Sequence, residues 1–197
     1  MKLSNIEPIT KVICDFKMAC VPLPKFRTRD NMDTNREYQK LLNHLKETNA
    51  QAHEHLEEEI DIVFHKLKFI PLESRPRVAV ISNIRDFSQD FRVITQEALD
   101  IAGGVWLSME DLAQADKVIV VQQDASLYND LPIALQSSLL GETAAISQNE
   151  LYIIQQSAFE GGTANDFLRQ VEIFAEIVQP KYFIYGHEGE GWVRFEL

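Results

Sequence analysis

The sequence predicts an α/β fold: a Rossmann-like parallel sheet flanked by helices in a single lobe, preceded by a long helix and followed by a C-terminal β-hairpin. Three observations carry that prediction. Three apolar runs, Arg77-Val78-Ala79-Val80-Ile81-Ser82, Lys117 to Gln122 and Leu151-Tyr152-Ile153-Ile154, read as strands buried on both faces. Segments of helical period lie between them, with Phe91, Ile94, Ala98 and Leu99 on one stripe. The pair Gly103-Gly104 ends that helix, and Ser108-Met109-Glu110-Asp111 opens a short one just before the next run. Strand, helix, short helix and strand make one βαβ crossover, which is expected to be right-handed.

The elements follow in order. Residues 1–33 form an irregular N-terminal segment with one candidate strand, Met18 to Leu23, which Pro22 and Pro24 would end or confine to an edge. Thr34-Asn35-Arg36-Glu37 has the capping-box pattern that starts a helix. Residues 34–70 then read as a long linking helix, or as two helices if the polar stretch Glu47-Thr48-Asn49-Ala50-Gln51 divides it. Unbroken, some 30 residues would span roughly 45 Å. Residues 71–183 are the α/β lobe, with Ser126 to Leu140 and Ala164 to Val178 as its further helices. Tyr182 to Tyr185 and Trp192 to Phe195 flank a glycine-rich turn, so residues 184–197 are expected to complete the hairpin.

Composition excludes several function classes. A net charge of −11 and no basic patch argue against nucleic acid as a partner; the densest basic segment, Lys25 to Arg29, runs straight into Asp30 and Asp33. Cys14 and Cys20 form no Cys-x-x-Cys, so no structural metal is expected and nothing requires a disulfide between them. No run approaches a membrane span, so no membrane insertion is expected. The N-terminus has no signal-peptide core, so the chain as written reads as cytoplasmic, and as periplasmic if a leader has been trimmed.

The motifs in sequence resemble one family. Arg75-Pro76-Arg77-Val78 leads into a buried strand, Ala102-Gly103-Gly104 ends a helix, and Ser108-Met109-Glu110-Asp111-Leu112 precedes Ala115-Asp116-Lys117-Val118-Ile119. Asn149 to Ile154 and Ala175-Glu176-Ile177-Val178-Gln179-Pro180 close the series. From Asn35 to Phe183 this order resembles the second half of the periplasmic substrate-binding proteins that feed ABC importers of ferric siderophores, haem and cobalamin. The resemblance implies the family's C-terminal lobe with the helix that joins two lobes, a ligand held between lobes, and contact of Glu110 with the importer. The chain departs from the pattern at several points. Only 33 residues precede the helix, Val105-Trp106-Leu107 is a shortened loop, Ala115 stands where the pattern has proline, and the hairpin is extra.

In open α/β sheets ligands sit beyond the carboxyl ends of the strands. That rule selects Asn83 and Arg85 after the first strand, Gln123 after the second and Phe159 after the third. Arg85 could grip an anionic group or simply pair with Asp86, and Trp106 offers an aromatic face or a cap over the core. Several other features carry less. His55 and Glu59 share a helix face without a third metal ligand, and Glu110 in a first helical turn has a structural reason to be there. His187 and Glu188 sit in a turn, and Gly161-Gly162-Thr163 before a helix offers donors to an anion. No catalytic residue, metal or cofactor is assigned.

The function expected is therefore non-catalytic binding of a small molecule or metal chelate of the siderophore, haem or corrinoid kind. An ABC permease is the partner implied through Glu110, and a homodimer would cover the face a second lobe leaves open. The alternatives are a protein-interaction module that kept the fold without the ligand, or a fragment of a full-length binding protein.

Overall fold

The computed structural model describes residues 36–122, 124–159 and 162–196. The segment 1–33, with its candidate strand, both cysteines and the basic run, lies outside the described residues, as do Thr34, Gln123 and Gly161. The chain forms α1 (Arg36–Thr48), α2 (Ala50–Leu67), β1 (Arg77–Ile81), α3 (Val93–Ile101), β2 (Val105–Trp106) and β3 (Lys117–Gln122). It continues through α4 (Leu127–Leu135), α5 (Ser138–Gly141), α6 (Ala144–Ser147), β4 (Leu151–Gln155), α7 (Ala164–Val178) and β5 (Trp192–Arg194). The strands lie in the order β2-β1-β3-β4-β5; all neighbours are parallel except β5, which runs antiparallel to β4.

Period-two alternation divides the strand side chains between two cores. Val78, Val80, Ile119, Val121, Tyr152 and Ile154 face one core with α1, α2, α3 and α7. Ala79, Ile81, Val118, Val120, Leu151 and Ile153 face the other, which α4, α5, α6 and a 3-10 turn over Met109–Gln114 cover. Long helices thus cover one face and short pieces the other. The βαβ unit closes as its glycines require. Gly103 has φ +89, a left-handed conformation, and a Cβ there would come within 2.7 Å of the Leu67 side chain. The Gly104 amide reaches back to the Leu99 carbonyl at 3.0 Å, completing the C-terminal cap of α3.

The described residues differ locally from several expectations. Where one long helix or two were expected there are two, parted within the polar stretch at Asn49, whose φ of −155 and ψ of 87 are not helical and whose side chain caps Ala52. Helix α1 packs into the same core as α2, Tyr38, Leu42 and Leu45 lying buried with Leu56, Ile60 and Val63; burial and the carboxylates of Asp61 and Glu57 push the Tyr38 phenol up in pKa. The helix expected over Ser126 to Leu140 stops at Leu135, and Ser137 then caps the separate turn α5. Val105 and Trp106, expected in a loop, form the short edge strand β2. The terminal hairpin does not form. Residues 182–185 make no strand, and β5 pairs instead with β4, because the sheet edge offers a whole row of donors and acceptors.

Two buried glutamates tie both ends of the described chain to the long-helix face. Glu97 on α3 accepts the amides of Glu37 and Tyr38 at 3.2 and 2.9 Å, capping α1 from outside its own sequence. Tyr38 then stacks on Phe167 of α7, with ring centroids 5.5 Å apart. Glu176 on α7 accepts amides from Tyr185, Gly186 and His187 and the Trp192 indole N–H at 2.8 Å, so it shapes the whole tail before β5.

At the amino ends of the strands, Arg77 clamps Asp116 with its amide, Nε and Nη2. Lys117 bonds Glu150, with Tyr152 and Arg194 at 2.6 and 3.1 Å from the same carboxylate. Burial alone would raise the Glu150 and Asp116 carboxyls, but these partners outweigh it and hold both below the usual range.

Two predictions follow from these contacts. Replacing Glu97 with Ala strands two helix-end amides and should cost about 1–3 kcal/mol in urea denaturation, with Glu97→Gln losing less because an acceptor remains. Because Glu150 and Asp116 titrate lower when folded, their stabilisation is present above the unfolded value and fades as pH falls through the folded one. The melting temperature should therefore drop as pH is lowered from about 5 to about 3, less steeply in Lys117→Met.

Candidate functional site

The loop between β1 and α3 is held by its own polar groups. Ser82 ends the strand run, and its hydroxyl donates to the Ser88 carbonyl at 3.0 Å and accepts the Asp90 amide at 2.9 Å. Asn83 and Asp86 each turn the chain by accepting an amide two residues on, from Arg85 and Ser88. Gln89 donates to the Val80 and Leu107 carbonyls, both at 3.0 Å, and so seals the sheet where β2 stops. This loop is built as a rigid rim.

Two shallow clefts straddle that rim at the carboxyl ends of β1 and β3, sharing Ser82 and Val121. The first, about 160 Å³, has Phe91 and Phe159 as apolar walls and Asp90, Arg92, Thr95 and Gln156 as polar groups. Behind its walls the rings form a chain: Phe91 meets Trp106 at 5.9 Å and Phe159 at 6.5 Å, and Phe159 meets Phe174 at 5.3 Å. The second cleft, about 120 Å³, is lined by Asn83, Arg85, Asp124, Ser126 and Asp130 among others. Pockets that enclose a small molecule usually measure about 300–1,000 Å³, so each cleft is one wall of a site.

The predicted site residues take these places. Phe159 lines the first cleft. Asn83 and Arg85 line the second, with the Asn83 side-chain oxygen already used by the backbone. Arg85 pairs with Asp130 at 2.7 Å, which corrects the expected Asp86 pairing; a helix brings Asp130 across the strand end, which chain proximity could not show. Trp106 stands half-buried behind Phe91, one ring removed from the first cleft. Glu110 is exposed on the 3-10 turn. Gln123 lies outside the described residues. Asp90, Phe91, Arg92 and Thr95 were missed because they lie past the loop, at the start of α3, where their pattern reads as helix.

Features outside the clefts find structural partners. Thr163 and Asp166 cap α7 reciprocally, at 3.0 and 3.2 Å, and the Thr163 hydrogen bonds hold the Asp166 carboxyl low. A fixed negative charge thus sits where an anion would have to bind. His187 meets Glu172 at 2.7 Å. His53 lies 3.8 Å from Glu57, and among the described residues no group of three or more His, Cys, Asp or Glu could hold a metal ion. Among them, too, no helix is long and apolar enough to cross a membrane.

Solved structures similar in fold to this chain include solute-binding proteins of ABC transporters. The chain aligns with such a protein from Listeria monocytogenes EGD-e with a TM-score of 0.55 and 11% identity, over 76% of this chain and 64% of that one. For the ABC transporter solute binding protein from Sulfurospirillum deleyianum DSM 6946 the TM-score is 0.51 and the identity 15%, over 78% and 52%. For Helicobacter pylori CeuE, solved as a nickel–histidine complex, the values are 0.50 and 11%, over 77% and 52%. The chain therefore spans about half to two thirds of the length of these proteins and carries the α/β fold of one lobe. No family model and no curated protein matches it.

Proposed function

We propose that this lobe binds a small molecule or metal chelate of the siderophore, haem or corrinoid kind, without chemical conversion, at the carboxyl ends of β1, β3 and β4. The observation that carries the reading is the pair of adjoining clefts, where aromatic walls and polar side chains converge on one strand-end rim. Their fold neighbours are solute-binding proteins, which supports the same role. Each cleft is too small to enclose such a ligand, so a second wall is required, and in this reading a second copy of the chain supplies it. Glu110, exposed on its turn, is available for contact with an ABC permease. The periplasmic setting goes with that contact, and nothing supports the cytoplasmic expectation.

One observation favours the interaction-module alternative. Phe69, Tyr182 and Ile184 are 75%, 52% and 88% exposed. Tyr182 and Ile184 flank the chain where Lys66 reaches the Tyr182 carbonyl at 3.2 Å and covers the Phe183 ring. Exposed apolar side chains of this kind can form a protein-contact surface.

Calorimetric titration with haem, cobalamin and ferric siderophores separates the two readings. Ligand binding predicts saturation by one of these classes. Loss of an aromatic wall in Phe159→Ala should weaken it about tenfold. Gln156→Ala should weaken it without disturbing the core, and Glu110→Ala should leave it unchanged while reducing permease-dependent uptake. Absence of saturable binding to all three classes would sink the proposal.

A further inference from the structure

The break between α1 and α2 is a single residue, shorter than the two to five residues that ordinarily join helices folded back on each other. The polar stretch around Asn49 permits the break but does not force it. Residues 36–67 contain neither glycine nor proline. Helical hydrogen bonding reaches the break from both sides: the Asn49 amide donates to the Leu45 carbonyl at 2.7 Å, and the His53 amide to the Asn49 carbonyl at 3.0 Å. The cap on Ala52 from the Asn49 side chain, at 3.1 Å, holds the new helix start. The other amides of that first turn have no intrahelical acceptor, and a continuous helix would give them one.

What keeps α1 folded back is its contacts with the rest of the chain. Glu97 caps its first turn, Tyr38 stacks on Phe167, and Leu42 and Leu45 are buried in the same core. None of these contacts depends on which copy supplies the helix. We propose that two copies of this chain exchange α1: Asn49 becomes helical, α1 and α2 run on as one helix, and each α1 docks against Glu97 and Phe167 of the other copy. The exchange remakes every buried contact and adds backbone hydrogen bonds at the former break. Short hinges under constraint favour such exchange. The inference rests on the homodimer part of the proposed function and is independent of any ligand.

The test varies the hinge and reads the oligomer. The full chain, Asn49→Ala, and a variant with Gly-Ser-Gly inserted between Asn49 and Ala50 would be compared by light scattering after size exclusion. Each would be run from about 1 to about 500 µM, since mass action sets the dimer fraction. Asn49→Ala removes the cap of the folded-back form only and should tighten dimerisation tenfold or more. The insertion relaxes the turn and should weaken it by at least about as much. Circular dichroism checks that all three are folded, and the lengthened exposed turn keeps the test open should Asn49→Ala fold poorly. A dimer that responds to neither change overturns the exchange while leaving the homodimer standing. A chain that stays monomeric throughout, in all three forms, overturns both.

Discussion

A parallel sheet with two apolar faces must be covered twice, and that constraint orders the rest of this chain. From Val78 to Ile81 every residue of β1 is buried, as are Val118 to Val121 and Leu151 to Ile154. The long-helix face is closed by α3 and α7, which then need cover themselves. Helices α1 and α2 provide it, and the charge that secures the arrangement is placed inside. Glu97 and Glu176 are 6% and 5% exposed and find backbone or indole donors in place of water. A buried carboxylate is tolerable only when it is so supplied. Each glutamate converts that requirement into a positional one: the first fixes where α1 begins, the second how the tail reaches β5.

The same constraint locates the candidate site. Because β1, β3 and β4 run parallel, their carboxyl ends meet along one rim, and the connecting loops there escape the helical cover. The rim is rigid on the β1 side, where Ser82, Asn83, Asp86 and Gln89 spend their polar groups on the backbone. The rest of the first cleft's lining comes from the start of α3 and the loop after β4. A preformed wall of this kind lowers the ordering cost of binding.

Legibility in the sequence followed the range of the forces involved. The strands were readable because double burial leaves continuous apolar runs, and the end of α3 because Gly103 needs a left-handed conformation. Asn83, Arg85 and Phe159, which a topological rule selects, lie at the clefts. The misses share a cause, distance along the chain. Glu97 reaches the first amides of α1 from some sixty residues away; Arg85 finds Asp130 rather than its neighbour; and β5 chooses the open edge of β4 over the nearby 182–185 segment. Local pattern cannot rank a neighbour against a partner that only the fold brings close.

The most direct measurement is a native mass spectrum of the protein purified from its own host, since it reports copy number and bound mass together. The account predicts two copies of the 22.6 kDa chain carrying a stoichiometric small molecule or metal chelate. A bare spectrum that stays bare after haem, cobalamin and ferric siderophores are added would contradict it.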